Sequence, residues 1–464
     1  MFKLEDIIKA TNGEVISRGQ EQFEGVSTDT RMIEPNSLFI AIKGERFDAH
    51  DFLGVAIKKI CGAIVQRTPD PSILTADKTF ILVDDTLKAL QNIARYYRKK
   101  ESPLVIAVTG SNGKTTAKEM TAAIASKAKS TLKSRGNFNN QIGLPLTLCG
   151  INGHEVVVLE MGARAAGDIK ELCEIASPDI GIITNIGPAH LEGFGSMEGV
   201  LKAKLELMDY VDKLLINADD VLLSSGVIDK LTANDSHHTE IYTYGINKDA
   251  DFKAIEVKEN PSGMGISFTI KFPDGQFQEI KLKTGGIFNV YNALAACGAG
   301  YLMEIDKESM RDALYDYSGI SMRFEMQNLM GATIINDAYN ANPASIRAAV
   351  TETVRLKQTR SIVVLGDMLE LGAYSEKEHR VLGQWLASKD VDVFIALGPM
   401  MKFAHDEYVL RLTNGRVKSA FHMEDTDRAR RIIFEIIKEK DTILIKGSRA
   451  MGMENILRVT QNIV

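Results

Sequence analysis

The sequence predicts a three-domain α/β protein whose sheets are mostly parallel, and three observations lead to this prediction. The chain has 464 residues, of which 45% are hydrophobic, and this suffices for several buried cores. Short apolar runs alternate with helical stretches along most of the chain, a pattern typical of parallel sheets covered by helices. A polar break at 99–103 and a restart of the alternation near Gly319 divide the chain. We therefore expect domains at residues 1–100, 101–318 and 319–464.

The predicted first domain is a small α/β unit. Its short strands are SLFIAI at 37–42, GAIVQ at 62–66 and FILVDD at 80–85, mixed with helical stretches. We place the linker to the second domain at KKESP (99–103), because this run is polar and ends in proline.

The second block opens with the sequence form of a nucleotide phosphate-binding loop. In LVIAVTGSNGKTTAKEM (104–120) an apolar run leads into a turn with two glycines and then into a helix. Glycine lets the backbone approach an anion closely, and the free N–H groups of a helix start point at phosphates. Lys114 can reach the β- and γ-phosphates, and the Thr115 hydroxyl can bind Mg²⁺. We expect an ATP-handling enzyme whose loop consists of Gly110, Ser111, Asn112, Gly113, Lys114, Thr115 and Thr116.

This loop departs from the longer pattern G-x-x-x-x-G-K-[ST], because Val108 stands where that pattern has its first glycine. A GK[ST] turn also arises by chance in many chains. Its position between a predicted strand and a predicted helix favours nucleotide binding here.

The strand–helix rhythm continues through the rest of the chain. In the second block it gives a P-loop domain with a mostly parallel sheet, from EVVVLEMG (155–162), DIGIITNIG (179–187) and DKLLINADD (212–220). Alternating residues at 241–284 predict an antiparallel flank, followed by a helix at 289–303. A smaller Rossmann-like domain is predicted from TIINDAYN (333–340), SIVVLGDM (361–368), VDVFIALG (391–398) and DTILIKGS (441–448).

The composition favours small-molecule partners and a cytoplasmic protein. The net charge is −6 and the basic residues are spread out, so we expect no nucleic-acid partner and no polybasic membrane anchor. No apolar run approaches the roughly 20 residues of a membrane span. We expect buried thiols rather than disulfides or a zinc site at the four widely spaced cysteines, Cys61, Cys149, Cys173 and Cys297.

Polar residues follow two of the predicted strands, where ligands bind in open α/β sheets. Glu160 follows VVVL, Thr184 and Asn185 follow GII, and His190 comes shortly after. A carboxylate and an imidazole beside a phosphate loop are candidate Mg²⁺ ligands, directly or through water. A lone histidine is also commonly a structural hydrogen-bonding group.

Several motifs together resemble the Mur ligase family, whose relatives include folylpolyglutamate synthetases. TGSNGKTT (109–116), SRGNFNNQIGLPLTL (134–148), LEMGA (159–163) and TNIGPAHLEGFGSMEGVLKAKLEL (184–207) resemble its ATPase domain in order and spacing. NDAYNANP (336–343), LGDMLELG (365–372) and KGSR (446–449) resemble the members that add D-alanyl-D-alanine. GVSTDTR (25–31) and KGERFDAHDF (43–52) are similar to their segment for the uridine nucleotide. The resemblance covers nearly the whole chain and is weakest at 220–283.

The resemblance implies the following metal and phosphate contacts. Lys114 would contact the transferred phosphate, Thr115 would bind Mg²⁺, and Glu160 and His190 would serve a second metal ion. Lys204 matches the family lysine that CO₂ converts into a carbamate, which is an oxygen ligand. An alternative is that Lys202 and Lys204 simply line a solvated helix face.

The resemblance also implies contacts with the rest of ATP. Near the adenine, Phe288 stands where many relatives have histidine. The implied contacts are Asn139, Asn289 and Asn292 near the adenine, Asp337 at the ribose and Arg323 at the γ-phosphate.

For the other substrates, the resemblance implies two further groups of residues. Tyr339, Asn340 and Asn342 would shape the interdomain site and the incoming dipeptide, with Lys446 and Arg449 suited to a carboxylate or an acyl phosphate. The uridine diphosphate would contact Ser27, Thr28, Asp29, Arg31 and Lys43. The alternatives are a helix cap at NANP, a surface basic pair at KGSR and a capping turn at STDTR.

The reaction implied is an ATP- and Mg²⁺-dependent ligation. The terminal carboxylate of UDP-N-acetylmuramoyl-tripeptide would become an acyl phosphate, which the amine of D-alanyl-D-alanine attacks. Closure of the third domain would protect this intermediate from water, so we expect open and closed forms of a monomer. The alternatives are a sister ligase adding another amino acid, a folylpolyglutamate synthetase, or a nucleotide-gated binding module, which would not need Glu160, His190 and Lys204.

Overall fold

We describe the protein from a computed structural model. It describes residues 1–44, 47–233, 238–260, 265–412 and 419–457. Residues 45–46 of the predicted uridine-nucleotide segment, and residues 458–464 of the predicted third domain, lie outside these ranges.

The N-terminal part forms a small α/β layer structure. Its larger sheet has the order β2–β7–β6–β5–β4, in which β4 to β7 run parallel and β2 is antiparallel, and β1 pairs with β3. The helix over 86–101 starts at an Asp85 cap and ends at Ser102, in the left-handed conformation just before Pro103. The elements are β1 (Phe2–Lys3), α1 (Leu4–Thr11), β2 (Glu14–Ser17), β3 (Gln22–Phe23), β4 (Val26–Ser27), β5 (Leu38–Ile40), α2 (Leu53–Ala56), β6 (Gly62–Val65), β7 (Thr79–Leu82) and α3 (Thr86–Glu101).

The central part contains the phosphate loop and a large mixed sheet. Its strand order is β16–β15–β14–β13–β12–β11–β8–β10–β9. The elements are β8 (Leu104–Thr109), α4 (Lys114–Ala125), β9 (Thr131–Lys133), α5 (Gly143–Leu148), β10 (Val156–Glu160), α6 (Asp168–Ala176), β11 (Ile180–Ile183), α7 (Leu191–Phe194), α8 (Met197–Leu205), β12 (Lys213–Asn217), α9 (Val221–Ala233), β13 (Glu240–Gly245), β14 (Phe252–Glu259), β15 (Ile266–Lys271), β16 (Phe277–Leu282), α10 (Ile287–Leu302) and α11 (Lys307–Asp316).

The predicted antiparallel flank is confirmed for β14, β15 and β16, and it was wrong at its start. β13 pairs in parallel with both β12 and β14. For the pairing with β12 the reason is connectivity, because helix α9 lies between β12 and β13 in the chain and returns it to the same edge of the sheet.

The C-terminal part is a second α/β sheet with the order β17–β18–β22–β19–β20–β21. Only the edge pair β17–β18 is antiparallel among the described pairings of this sheet, as expected for a Rossmann-like domain with a parallel core. The elements are β17 (Glu325–Leu329), β18 (Ala332–Asp337), α12 (Pro343–Arg355), β19 (Ser361–Gly366), α13 (Ser375–Ala387), β20 (Val393–Leu397), α14 (Met401–Leu410), β21 (Ser419–Met423), α15 (Thr426–Ile436) and β22 (Thr442–Lys446).

Strand order brings the predicted site residues together. β10, β8 and β11 are neighbours, so Glu160, the phosphate loop and Thr184 share one edge of the central sheet. In the C-terminal sheet, Asp337 and Lys446 are register partners at the ends of β18 and β22.

All four cysteines are buried free thiols, as predicted. Across the described ranges, no helix is both long and apolar enough to cross a membrane.

Candidate active site

The phosphate loop joins β8 to α4 through two glycines in backbone conformations that disfavour other residues. Gly110 has φ 139° and Gly113 has φ 82°. A Cβ atom on Gly110 would lie 2.0 Å from Thr184 Oγ1, and one on Gly113 would lie 2.5 Å from Asn292 Oδ1. Both positions therefore require glycine for space as well as for conformation.

The loop is held by the segment that follows β11. Asn185 accepts from the Ser111 N–H through its carbonyl and from the Asn112 N–H through Oδ1, each at 2.9 Å. Thr184 Oγ1 donates to the Asn112 carbonyl at 2.5 Å, and Ser111 Oγ donates to the Gly187 carbonyl at 2.9 Å. The loop geometry is thus fixed by residues of a neighbouring strand end.

Lys114, Thr115 and Arg323 meet where this loop faces the C-terminal domain. Lys114 Nζ donates to the Gly110 carbonyl at 2.7 Å, and burial lowers the pKa of this ammonium group, with Glu160 opposing the shift. Arg323 donates to Thr115 Oγ1 at 3.1 Å, and its guanidinium lies 3.9 Å from the centre of the Tyr339 ring. Arg323 Nε is buried without a hydrogen-bond partner. The cationic groups therefore converge on the loop.

Glu160 presents one unpartnered oxygen beside the loop. Its Oε1 accepts from Asn139 Nδ2 at 2.9 Å, whereas Oε2 is buried and has no hydrogen-bond partner. A buried carboxylate oxygen without a partner is costly unless a cation or a donor completes it. This orphaned oxygen fits a divalent cation, with Thr115 as the second oxygen donor on the same cavity wall.

Asn139 does not lie with the other two residues that were expected near the adenine. It is hydrogen-bonded to Glu160 and lines the larger cavity, while Asn289 and Asn292 line the smaller one. The cause is the long-range folding of the segment after β9 against the end of β10, where the Gly162 N–H donates to the Asn139 carbonyl at 2.8 Å.

His190 lies at the domain boundary, in the left-handed conformation before α7. Its Nδ1 is 2.8 Å from Oε2 of Glu370, a residue of the C-terminal domain. The hydrogen bond from His190 lowers the pKa of Glu370. Within the described ranges, no group of three or more His, Cys, Asp and Glu side chains forms a metal cluster. The structure therefore pairs His190 with Glu370 and leaves its metal role as a prediction.

Lys204 is buried, and Lys202 is not. Lys204 is 2% exposed, and its Nζ lies 5.5 Å from the centre of the Phe194 ring. Burial, together with the nearby charge of Lys114, lowers the pKa of Lys204 to about 7. Lys202 is exposed and pairs with Glu198 at 2.7 Å. The interpretation of both lysines as a solvated helix face is therefore wrong for Lys204.

Two cavities that share lining residues lie between the central and C-terminal domains. The larger, of about 570 Å³, is lined by the loop lysine, Glu160, His190 and C-terminal residues; the smaller has about 160 Å³. The residues that line both are Asn112, Gly113, Arg323, Ser345 and Lys446.

The smaller cavity contains the other predicted adenine and ribose residues. Asn289 donates from Nδ2 to the Gly285 carbonyl at 2.7 Å, which fixes its amide. Phe288 packs edge-on against Phe324, with ring centres 5.1 Å apart, and both line this cavity with Asn292 and Asp337. An aromatic wall with amide groups suits a flat heterocycle.

The ends of β18 and β22 form an ion pair between Asp337, which lines the smaller cavity, and Lys446, which lines both cavities. Lys446 Nζ is 2.6 Å from Asp337 Oδ2 and donates to the Asn340 carbonyl at 2.9 Å. Burial lowers the pKa of Lys446, although Asp337 opposes the shift. Arg449 is half-exposed and pairs with Glu454 at 2.7 Å. Both basic residues line the larger cavity, so KGSR is not simply a surface pair.

Asn342 has two roles in the structure. Its Oδ1 accepts from the Ser345 N–H at 2.9 Å and caps α12, as the composition alone indicates. Its Nδ2 also donates to Asn112 Oδ1 at 2.8 Å, which links the C-terminal domain to the phosphate loop.

The predicted uridine-nucleotide residues lie in the N-terminal part and line neither of the two cavities. Arg31 forms an exposed ion pair with Asp29 at 2.6 Å, and the Asp29 N–H donates to Ser27 Oγ at 3.3 Å. The capping-turn alternative thus describes the local geometry. Thr28 lies in this turn, and Lys43 is exposed and pairs through its backbone with Asp48.

Arg164, Glu370 and Ser448 are among the residues that line the larger cavity and that sequence reasoning missed. Arg164 follows LEMGA at the end of β10, and Glu370 and Ser448 stand within LGDMLELG and KGSR. The available signal was their position inside a quoted motif, for Glu370 and Ser448, or directly after one, for Arg164.

Three Mur ligase profiles match consecutive parts of the chain. The Mur ligase family catalytic domain matches residues 22–98, the Mur ligase middle domain 108–300, and the Mur ligase, glutamate ligase domain 322–449. The UDP-N-acetylmuramoyl-tripeptide–D-alanyl-D-alanine ligase of Bacillus subtilis (strain 168) is 36% identical over 462 residues, which cover 98% of this chain and 97% of that protein.

Solved structures agree over the same length. A crystal structure of MurF from Acinetobacter baumannii has a TM-score of 0.87 and 31% identity, with 98% of each chain covered. A MurF ligase from Thermotoga maritima in complex with ADP has a TM-score of 0.78 and 26% identity, covering 93% of this chain and 96% of that one. The chain therefore belongs to the Mur ligase family.

Proposed function

We propose that this Mur ligase joins D-alanyl-D-alanine to UDP-N-acetylmuramoyl-tripeptide with cleavage of ATP and release of ADP and phosphate. The product would be the UDP-muramoyl-pentapeptide precursor of peptidoglycan. Relatives named UDP-N-acetylmuramoyl-tripeptide–D-alanyl-D-alanine ligase match nearly the full length of the chain. This match supports the proposed reaction over that of a sister ligase or a folylpolyglutamate synthetase.

One observation carries the proposal. The cavity between the domains is lined on one side by Lys114, Thr115 and Glu160 and on the other by Arg323 and Lys446. A binding module would need Lys114 and Thr115, but neither Glu160 nor the second side. A phosphoryl transfer whose product must then meet an amine needs cationic groups on both sides of the reacting atoms.

The chemistry proceeds in two steps. A carboxylate oxygen of the tripeptide attacks the γ-phosphorus, and the bond from that phosphorus to the β–γ bridging oxygen breaks and releases ADP. Lys114 and Arg323 would stabilise the negative charge on the transferred group. The amine of D-alanyl-D-alanine then attacks the acyl carbon, the carbon–oxygen bond to phosphate breaks, and one proton is released. Lys446 would orient the acyl phosphate from the C-terminal side.

We propose that Thr115 and Glu160 hold Mg²⁺, supported by the orphaned Glu160 oxygen. When bound, the ion would neutralise charge on the β- and γ-phosphates. His190 would bind a second metal ion through Nε2, because its Nδ1 pairs with Glu370.

Carbamylation of Lys204 is proposed on electrostatic grounds. Its pKa of about 7 leaves a large neutral fraction of the amine, the form that reacts with CO₂. Lys114 and Lys204 are buried cations whose charges repel each other. A carbamate on Lys204 would replace one of these cations with an anion that can bind a metal.

The remaining contacts are proposals of the same kind. Residues 1–100 would bind the uridine nucleotide through the 27–31 turn and Lys43, residues 101–318 would bind ATP, and residues 319–464 would bind the dipeptide near Tyr339, Asn340, Asn342 and Arg449. The loop backbone and Thr116 would hold the phosphates, with Asn139 supporting Glu160. We propose a cytoplasmic location, since the substrates are water-soluble nucleotides and dipeptides, and we keep the monomer as a prediction.

The test is product identity. The protein is incubated with ATP, Mg²⁺ and UDP-N-acetylmuramoyl-tripeptide, and D-alanyl-D-alanine, D-alanine, L-glutamate and L-lysine are offered in separate reactions. Mass spectrometry should find a conjugate only with the dipeptide. A conjugate formed with a single amino acid instead would make the protein a sister ligase, and ATP binding without any conjugate would favour the binding module.

A further inference from the structure

Lys118 is a buried lysine for which the proposed reaction has no use. It lies on α4 one turn after Lys114 and is 0% exposed. A buried ammonium group is costly unless charge and hydrogen bonds compensate it. Its position in the core behind the phosphate loop therefore needs an explanation beyond solubility.

The ammonium group of Lys118 makes two polar contacts. It pairs with Glu119 Oε1 at 2.8 Å and donates to the Ser134 carbonyl at 2.8 Å. Glu119 also pairs with Lys133, so its carboxylate does not depend on Lys118 alone for a cationic partner. The contact with Ser134 joins helix α4 to the chain segment that follows β9.

Ser134, which contacts Lys118, is also hydrogen-bonded to Glu160. Ser134 is fully buried, its N–H donates to the Val158 carbonyl at 3.0 Å, and its Oγ accepts from the Glu160 N–H at 3.2 Å. The segment that starts at Ser134 also carries Asn139, whose amide donates to Glu160 Oε1. Glu160 is thus held at its backbone and at one carboxylate oxygen, and only Oε2 is left without a partner.

We propose that Lys118 and Ser134 are positioning residues for divalent-cation binding: they fix the end of β10 so that the free oxygen of Glu160 is available to the ion. The inference rests on the proposed role of Glu160 in metal binding. Partners of this kind typically change metal affinity by about 10- to 100-fold when removed.

Direct Mn²⁺ binding tests the proposal without relying on catalysis. Free Mn²⁺ is measured by electron paramagnetic resonance in the presence of ADP for the full-length protein, Ser134→Ala, Lys118→Met and Glu160→Gln. Thr121→Val is the matched control, because Thr121 has a buried, unpartnered hydroxyl on the same helix. ADP affinity is measured separately without metal.

We expect Ser134→Ala and Lys118→Met to weaken Mn²⁺ binding about tenfold, with metal-free ADP affinity unchanged and Thr121→Val within twofold of wild type. If Lys118→Met does not fold, Ser134→Ala decides the question, because it removes only the acceptor of the Glu160 N–H. Wild-type Mn²⁺ affinity in Ser134→Ala overturns the inference, and so does an equal loss of metal-free ADP affinity.

The two proposals can fail separately. Mn²⁺ binding that Glu160→Gln leaves unchanged overturns the positioning role while the ligase reaction still stands. A wild-type protein that forms no conjugate, but whose Mn²⁺ affinity drops in Ser134→Ala, overturns the proposed function and supports the positioning role.

Discussion

The phosphate loop at 110–116 and the turn at 27–31 are both polar segments that follow a parallel strand, yet their polar groups are satisfied differently. In the loop, Asn112 bonds to Asn185, 73 positions away, and Thr115 is reached by Arg323 of another domain. In the turn, the described side-chain hydrogen bonds of Asp29 and Arg31 are with each other. Long-range bonds fix the loop before any ligand arrives, whereas the turn offers an exposed guanidinium. We therefore expect mutations at the loop to have much larger effects.

The largest effect is expected for Lys114→Met. Removing this buried ammonium group should lower ATP-dependent phosphate release by about a hundred- to a thousandfold, because charge on the transferred group loses its preorganised partner. Lys202→Met, which changes an exposed lysine, is the control and should match wild type. A coupled phosphate assay measures both. A Lys114→Met rate above about a tenth of wild type would contradict the loop assignment.

Arg323→Met should lower kcat by about a hundredfold and change ATP affinity less, since its guanidinium would act on the transferred phosphate. Arg347→Met is the matched control. Arg347 lies in the same domain and packs over Trp385 at 5.8 Å, but lines neither described cavity. Equal losses in the two variants, in the same assay at saturating ATP, would mean that only the stability of the domain matters.

The third prediction concerns pH and CO₂. With a pKa of about 7, the neutral fraction of Lys204 rises from about 10% at pH 6 to about 90% at pH 8. At constant dissolved CO₂, reactivation of CO₂-depleted enzyme should therefore be about ninefold faster at pH 8. A ¹³C carbamate resonance should appear in wild type and in Lys202→Met and be missing in Lys204→Met. A resonance that persists in Lys204→Met would contradict the assignment.

Asn342 separates the helix cap from the interdomain contact. Asn342→Asp keeps an oxygen for the cap but loses the Nδ2 donor to Asn112, so activity should fall about fivefold with little change in the free energy of unfolding. Asn342→Ala loses both and should cost about 1 kcal/mol of stability as well. Thermal unfolding and steady-state kinetics measure the two. Wild-type activity in Asn342→Asp would leave Asn342 only a capping role.

The smallest effect is expected at the turn. Arg31→Ala should raise KM for the UDP-linked substrate about threefold, because an exposed charge contact is screened by water and salt. The free energy of unfolding should not change. Lys9→Ala, a cation elsewhere in this domain, is the control. A hundredfold rise in KM would show that the turn is a fixed site comparable to the loop.

The sequence predicted most strands and the phosphate loop because these depend on local apolar runs and glycine spacing. The apolar run before the loop was predicted to be a strand, and it forms β8 over Leu104–Thr109. Local apolar runs and glycine spacing do not predict which residues from distant parts of the chain come into contact. The contact of His190 with Glu370 and the placement of Asn139 against Glu160 depend on how separate segments pack. The parallel pairing of β13 follows from connectivity rather than from its own alternation.

The most direct test of the account is phosphate release from ATP and Mg²⁺, measured with each substrate alone and with both together. The account predicts rapid release only when UDP-N-acetylmuramoyl-tripeptide and D-alanyl-D-alanine are both present, in equal amounts with the conjugate formed. Release at the same rate without the dipeptide, or without the UDP-linked tripeptide, would contradict it.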